Sequence, residues 1–249
     1  PDFSKVDSGV FLGALGQAFY SLSIGMGCLC TYASYFSRRT KLLSTAVNIS
    51  LVDTMVAVLA GLMIFPSAFS VGIAPDSGPS LIFMTLPNVF QLAFGHVPFL
   101  GYVVSILFYV LLSLAALTSL ISLHEVCTAF FLEEFNISRR RGATLVTVIT
   151  CVIGAFCSLS LGHTDLQVSI FGKPLFDSLD FLTGQILLPL GGLLTCLFLG
   201  WYVPKKIVKD QFTNHGTLRG ALFGTYLFCV RFVCPLCILL IFLHQFGVI

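Results

Sequence analysis

The chain contains 249 residues with a net charge of +2; hydrophobic residues make up 57% of it and charged residues 10%, and its mean hydropathy is +0.98. Charged residues are roughly a quarter of an ordinary soluble domain, so this composition excludes that class and predicts a polytopic membrane protein. The near-neutral charge, without a basic stripe interleaved with aromatic residues, also argues against nucleic-acid binding.

The first apolar segment, residues 9–37, is long enough to cross a bilayer, yet it carries two serines followed by Gly25 and Gly27 near its middle. Lipid cannot satisfy the backbone groups that such residues free, so a break at about residues 21–25 is expected to line a cavity. In secondary transporters, broken helices at the membrane midplane bind cations and anionic substrate groups. The segment therefore indicates either a solute site or a small-residue face for close helix packing.

Five further apolar segments follow, so that the chain is predicted to be a single transmembrane domain, residues 1–249, with six spans. The later spans are predicted at residues 42–69, 99–131, 142–161, 179–203 and 222–246. Residues 70–98 are punctuated by proline and glycine and are predicted to form a structured extracellular loop.

Basic residues are grouped in the connections that follow odd-numbered spans. Short cytoplasmic loops collect Lys and Arg, so these connections are predicted to lie inside the plasma membrane (the inner membrane of the cell) and both ends of the chain outside. The grouped residues are Arg38, Arg39, Lys41, Arg139, Arg140, Arg141, Lys205, Lys206, Lys209 and Arg219, against Lys5 and Lys173 on the other side. Because residue 1 starts outside without a signal-peptide pattern, we expect an odd number of spans to precede it.

Neither the cysteines nor any catalytic motif indicates an enzyme. The nine cysteines fall in apolar segments without the partner spacing of a zinc or redox site, which favours free thiols. No G-x-S-x-G, H-E-x-x-H or phosphate-binding loop is present in the sequence.

Asp53 is the most informative polar residue, because a carboxylate near the centre of a membrane helix costs roughly 2.5 to 3.5 kcal/mol. A structural hydrogen bond or a basic partner is the alternative compensation. A bound monovalent cation is the interpretation that we favour, since Asp53, Ser21 and freed carbonyls would supply the oxygen ligands that hard cations prefer.

The third span carries a polar stripe on one helix face, formed by Ala115, Thr118, Ser119 and Ser122 and continued by Glu125. Hydroxyl groups in membrane helices commonly bond their own backbone or a neighbouring helix. The stripe alone therefore favours packing over ion coordination.

Several of these stretches together resemble the second half of the neurotransmitter:sodium symporter family, the sodium-coupled amino acid and amine transporters with the leucine-transporter fold. Residues 16–27 with residues 31–35 resemble its broken sixth helix, residues 83–90 its fourth extracellular loop and residues 115–119 its eighth helix. The resemblance runs from about Val10 to the end, over helices six to eleven. It implies an all-α polytopic membrane protein: the second inverted repeat of that fold plus one further helix, with six spans and a broken first span.

The resemblance implies two sodium sites, a substrate pocket and two gates. The sodium ligands would be Ser21 and Asp53 at the first site and Ala115, Thr118 and Ser119 at the second. The substrate-binding residues would be Tyr20, Ser21, Ser23, Met26, Ser119 and Leu123, with Tyr20 as the aromatic lid. The gate residues would be Tyr35 and Glu133 on the inner side and Asp180 on the outer side.

The function implied is that of a sodium-coupled symporter for amino acids with an apolar side chain, working by alternating access. Asp53 replaces the usual asparagine, and Ala57 stands where chloride-dependent members carry serine, so chloride independence is expected. Its partners would be the substrate, the bilayer and helices one to five, which are absent from this chain. The alternative is a non-transporting, half-length membrane scaffold or an inactive relative; a channel is disfavoured because discrete cation ligands at a broken helix suit a closed site.

Overall fold

In a computed structural model, the structure describes residues 7–37, 40–70, 72, 81–161, 169–170, 173–214, 216, 220 and 222–245. The predictions that involve Lys5, Arg38, Arg39 and Arg219, residues 71 and 73–80 of the loop predicted at 70–98, and the predicted end of the sixth span lie outside the described residues.

The first predicted span consists of two short helices, α1 (Ser8–Ser21) and α2 (Cys28–Ser34). Asp7 caps α1 by accepting a hydrogen bond from the Val10 backbone N–H at 2.8 Å. Residues 22–27 between the two helices are not helical. The break predicted at residues 21–25 thus has a structural counterpart at residues 22–27.

Four helices follow in the chain: a long one, a short one, a second long one, and a fourth that begins after a chain reversal. They are α3 (Leu42–Ser70), α4 (Leu86–Ala93) preceded by a π turn (Leu81–Thr85), α5 (Pro98–Phe135) and α6 (Arg139–Leu161). Asn136, with a left-handed backbone (φ 51°), lies in the short connection between α5 and α6. The strongly helix-forming run after Phe131 lets α5 continue beyond the apolar segment that its hydropathy predicts.

The C-terminal part begins with a hairpin of two short strands, each of two residues, and continues as helices interrupted by π turns. Strand β1 (Ser169–Ile170) pairs antiparallel with β2 (Lys173–Pro174). One continuous helix, Leu175–Tyr202, comprises α7 (Leu175–Asp180), a π turn (Phe181–Leu187), α8 (Leu188–Leu197) and a second π turn (Phe198–Tyr202). The short helix α9 (Lys205–Phe212) follows, and then α10 (Phe223–Phe228), a π turn (Cys229–Val233) and α11 (Cys234–Gln245).

The prediction of an all-helical membrane protein is confirmed, since the described residues contain five helices long and apolar enough to cross a membrane. The broken pair α1 and α2 is not among these five, because each half is short. The count of six spans stays a prediction.

The structure forms two compact units, which are described separately. The first includes the chain up to Ala46 and again from Leu123, and the second is Val47–Ser122. In the first unit, α1 contacts α8 and α11. Its most deeply buried side chains, Pro189, Ile238 and Ile241, lie on these last two helices. The broken helix is therefore held against the core of its unit.

Large apolar side chains cover the outside of α3 and α5. Leu62 is 65% exposed and Leu111 is 69% exposed, and many other side chains on both helices are similarly exposed. A helix that is apolar all round needs a non-aqueous neighbour, which lipid or further helices supply.

Candidate functional site

The helix break between α1 and α2 is the centre of the candidate site. Its backbone turns through three left-handed residues, Ser23 (φ 52°), Gly25 (φ 89°) and Gly27 (φ 81°). The Ile24 N–H donates to the Phe19 carbonyl at 3.0 Å, which closes the end of α1. Gly27 then precedes α2, and its carbonyl accepts from Thr31. The unwound segment is thus a defined turn with a hydrogen bond at each end.

The backbone of the break lies directly against the backbone of α8. A Cβ atom added at Gly25 would collide with the Leu188 carbonyl oxygen and lie 2.8 Å from the Gly192 nitrogen. A Cβ atom added at Gly191 would collide in turn with the Gly25 carbonyl oxygen. This contact leaves no room for a side chain at Gly25 or at Gly191, so glycine is required at both positions.

Neighbouring glycines on the same helix accommodate two aromatic rings of α1. A Cβ atom at Gly192 would approach the Phe19 ring to 2.7 Å, whereas one at Gly184 would lie 3.9 Å from the Tyr20 ring. Tyr20, the predicted lid, is 51% exposed at the end of α1. The Tyr20 ring therefore lies beside Gly184, while about half of the side chain remains exposed.

The predicted substrate residues are divided between the two units. Tyr20, Ser21, Ser23 and Met26 surround the break in the first unit, to which Leu123 on α5 also belongs. Ser119 lies on α5 in the second unit. The assembly of these six residues into one pocket stays a prediction.

The three residues predicted for the second sodium site do come together on α5. Thr118 donates its hydroxyl hydrogen to the Ala115 carbonyl at 2.8 Å, and Ser119 donates to the same carbonyl at 3.2 Å. Ser122 donates to the Thr118 carbonyl at 2.9 Å. Three oxygens thus converge on one helix face, but a cation there would require both hydroxyl hydrogens to turn away from Ala115.

The two residues predicted for the first sodium site lie in different units. Asp53 is half-buried on α3 in the second unit, and Ser21 ends α1 in the first. Their joint coordination of an ion stays a prediction.

A charged cluster that was not predicted from the sequence lies at the end of α2. Arg139, the first residue of α6, donates through Nη2 to both carboxylate oxygens of Glu125 at 2.7 Å. Tyr35 donates its hydroxyl hydrogen to Glu125 Oε1, also at 2.7 Å. The cluster therefore connects α2, α5 and α6. The available signal was the position of Glu125 on the polar stripe of α5, with an arginine group after the next chain reversal.

Of the three predicted gate residues, Tyr35 belongs to this cluster, whereas Glu133 and Asp180 lie elsewhere. Glu133 is exposed farther along α5, and no ion pair to it is present in the part of the chain that the structure describes. Asp180 is exposed at the end of α7, one turn before Gly184, where an added Cβ atom would lie 3.9 Å from the Tyr20 ring. The predicted outer gate residue, Asp180, is thus one helical turn from the position that lies beside the predicted lid, Tyr20.

A separate groove of about 920 Å³ lies between α4 and α5 in the second unit. It is lined mainly by aromatic and aliphatic side chains, and none of the predicted site residues contributes to it. The Ser105 and Ser113 hydroxyl groups donate to carbonyls of their own helix. These two hydroxyl groups are therefore satisfied within α5.

We expect the Arg139→Gln substitution to lower the free energy of unfolding by about 1 kcal/mol, because it removes two charge-assisted hydrogen bonds that are partly exposed to solvent. Thermal unfolding of the purified protein checks this. Arg140→Gln is the matched control, since Arg140 is the exposed neighbour on the same helix. Equal stability of both variants would contradict a contribution from the Glu125 cluster.

The chain is similar to one protein family and to individual sodium-dependent transporters. The model of the sodium:neurotransmitter symporter family matches residues 1–248. The uncharacterized sodium-dependent transporter YhdH of Bacillus subtilis is 36% identical over 250 residues, which cover 100% of this chain and 54% of that protein. An uncharacterized sodium-dependent transporter of Haemophilus influenzae is also 36% identical, over 98% of this chain and 52% of its own length.

Among solved structures, the crystal structure of MhsT in complex with L-phenylalanine matches with a TM-score of 0.85 and 40% identity. The match covers 98% of this chain and 54% of MhsT. The chain thus spans about half the length of the curated relatives and of the solved structure that it matches.

Proposed function

The chain belongs to the sodium:neurotransmitter symporter family, a family of transporters rather than enzymes, and from this membership we propose that it is part of a sodium-coupled amino acid symporter. The observation that carries the proposal is the unwound segment at residues 22–27, which is held backbone to backbone against α8. An unwound segment inside a membrane protein presents peptide carbonyls to a bound solute instead of to a helix ladder.

Sodium coupling requires oxygen ligands at two places in this proposal. Asp53 and Ser21 would hold one ion, and the carboxylate would balance its charge. Ala115, Thr118 and Ser119 would hold the second, and the convergence of their oxygens on α5 supports this. The sodium-dependent transporters among the relatives also support coupling to sodium.

The substrate proposed is an amino acid with an apolar side chain. The L-phenylalanine bound to MhsT supports this class. Tyr20 would close over the substrate, and Met26 would offer a flexible, polarizable wall. Ser21, Ser23, Ser119 and Leu123 would complete the part of the pocket that this chain contributes.

Transport would proceed by alternating access. Asp180 would belong to the outer gate, and Tyr35 and Glu133 to the inner gate, so that sodium and substrate together favour the occluded state. Asp53 and Ala57 favour a chloride-independent cycle. The remaining half of the transporter, corresponding to helices one to five, would supply the other ligands, and both ends of this chain would face outward across the plasma membrane.

Uptake of labelled amino acids into liposomes that contain the full-length protein tests the proposal. We expect an inward sodium gradient to drive accumulation of apolar amino acids, and replacement of chloride by gluconate to leave uptake unchanged. Uptake that is indifferent to the sodium gradient would overturn the coupling. Failure to take up any amino acid would favour the alternative, a non-transporting membrane scaffold or inactive relative.

A further inference from the structure

An arginine lies within a helix of membrane-spanning length. Arg231 belongs to the π turn (Cys229–Val233) between α10 and α11, inside the apolar helix Phe223–His244. A cation in such a helix needs compensation and commonly marks a functional site. In the described part of the chain, the one ion pair is that of Arg139 with Glu125, so no described carboxylate neutralises Arg231.

The contacts of Arg231 occupy only part of its guanidinium group. Its Nε donates a hydrogen bond to the Gly200 carbonyl oxygen, and the guanidinium carbon lies 5.5 Å from the centroid of the Trp201 ring. A Cβ atom at Gly200 would approach Arg231 Cγ to 3.0 Å, so glycine permits the close approach. A guanidinium group has five N–H donors, and its two Nη groups carry four of them. In the part of the chain that the structure describes, the Nη groups of Arg231 make no hydrogen bond, so they are available for a ligand.

Three features indicate that this contact is close to the membrane–water boundary. The helix that carries Trp201 ends at Tyr202, and these two aromatic side chains are 61% and 80% exposed. Exposed Trp and Tyr gather at membrane interfaces. The helix that follows, α9, is amphipathic: Val208 is buried, whereas Lys205 and Lys206 are exposed. Short amphipathic helices with lysines typically lie in the interface.

The direction of the Arg231 side chain also agrees with a position close to the membrane–water boundary. Phe212, at the end of α9, packs against Phe223 and Tyr226 of α10, with ring centroids 5.6 Å and 5.0 Å apart. The start of α10 is therefore beside the interfacial helix. Helical side chains lean toward the N-terminus of their helix, so Arg231 extends back toward the boundary, as charged side chains in membranes commonly do.

We propose that Arg231, together with Lys205 and Lys206, binds the phosphate group of an anionic phospholipid. The two Nη groups of a guanidinium match two phosphate oxygens. The Trp201 ring, whose centroid is 5.5 Å from the guanidinium carbon, provides a cation–π contact, and the lysines add positive charge at the same interface. Basic sites between membrane helices near the cytoplasmic surface are suited to anionic headgroups. No substrate, sodium ion or gate residue takes part in this site.

Native mass spectrometry of the full-length protein, purified in detergent and titrated with phosphatidylglycerol or phosphatidylcholine, tests the proposal. We expect phosphatidylglycerol to be retained more strongly than phosphatidylcholine. Arg231→Gln should weaken phosphatidylglycerol retention about fivefold, and the paired substitution of Lys205 and Lys206 by glutamine should weaken it by at least that factor. Lys41→Gln, which removes a basic residue from another connection, should leave retention unchanged.

Two further arms keep the test decisive. Lys205→Gln with Lys206→Gln leaves the Gly200 contact intact, so its effect distinguishes lost lipid binding from misfolding of an Arg231 variant. Inorganic phosphate in excess distinguishes a lipid site from a free-anion site, and we expect it not to displace the lipid. Equal retention of the two lipids, equal retention by the lysine variant, or displacement by phosphate would each overturn the proposal.

Discussion

Replacing Gly25 with alanine is expected to lower the free energy of unfolding by about 2 to 5 kcal/mol and to abolish transport. The left-handed backbone at φ 89° penalises any residue with a Cβ atom by roughly 1 to 2 kcal/mol. The added methyl group would also overlap the Leu188 carbonyl oxygen, and such overpacking costs about 1 to 3 kcal/mol. Thermal unfolding and the liposome uptake assay measure the two effects.

Gly13→Ala is the matched control for this prediction. Gly13 lies on the same helix as the start of the break, and an added Cβ atom there meets nothing within 4 Å. Alanine is a better helix former than glycine, so this variant should be as stable as the parent or more stable. Gly191→Ala should repeat the Gly25 defect from the other side, because its Cβ would meet the Gly25 carbonyl. A Gly25 variant as stable as the Gly13 variant would contradict the backbone contact.

The Asp53→Ala substitution is expected to reduce sodium-driven uptake at least about tenfold, which corresponds to a loss of about 1.4 kcal/mol in the free energy of ion binding. The physical reason is that alanine supplies neither the charge nor the oxygen ligands proposed for the first sodium ion. Initial rates of uptake, measured as a function of sodium concentration, check the effect.

Asp53→Asn separates the charge of this side chain from its ligand oxygen. It keeps one oxygen, so we expect a higher sodium requirement but measurable coupled uptake. Thr54→Val controls for general damage to α3, since the Thr54 hydroxyl donates to the Ser50 carbonyl of its own helix. Unchanged sodium dependence in Asp53→Ala, together with normal uptake, would place the ion elsewhere and leave the family membership intact.

The sequence predicted the fold because its main signals are local. Hydropathy predicts where the long helices lie, and the two serines followed by Gly25 and Gly27 predict the break. The extension of α5 to Phe135 shows the limit of hydropathy, since charged residues with high helix propensity continue a helix past its apolar segment. The π turns were not predicted, because a shift in the hydrogen-bond ladder has no signature in hydrophobicity.

The parts of the candidate site that escaped prediction depend on contacts between distant segments. The bond between Glu125 and Arg139 requires the reversal at Asn136 to bring α6 back along α5. The requirement for glycine at position 191 could not be predicted from the sequence either, because a glycine in an apolar helix is compatible with many packing arrangements. The convergence of Thr118 and Ser119 on Ala115 was predictable, because all three lie on one helix face.

The contact between Gly25 and Gly191 also constrains how the molecule moves. Most helix interfaces can slide slightly, because their side chains exchange rotamers as the axes shift. Two peptide backbones in direct contact have no such adjustable layer, and a small displacement along either one produces a collision or a gap. While this contact persists, the unwound segment and the adjoining part of α8 move as one rigid piece, so any relative motion of the surrounding helices must occur at the joints around it.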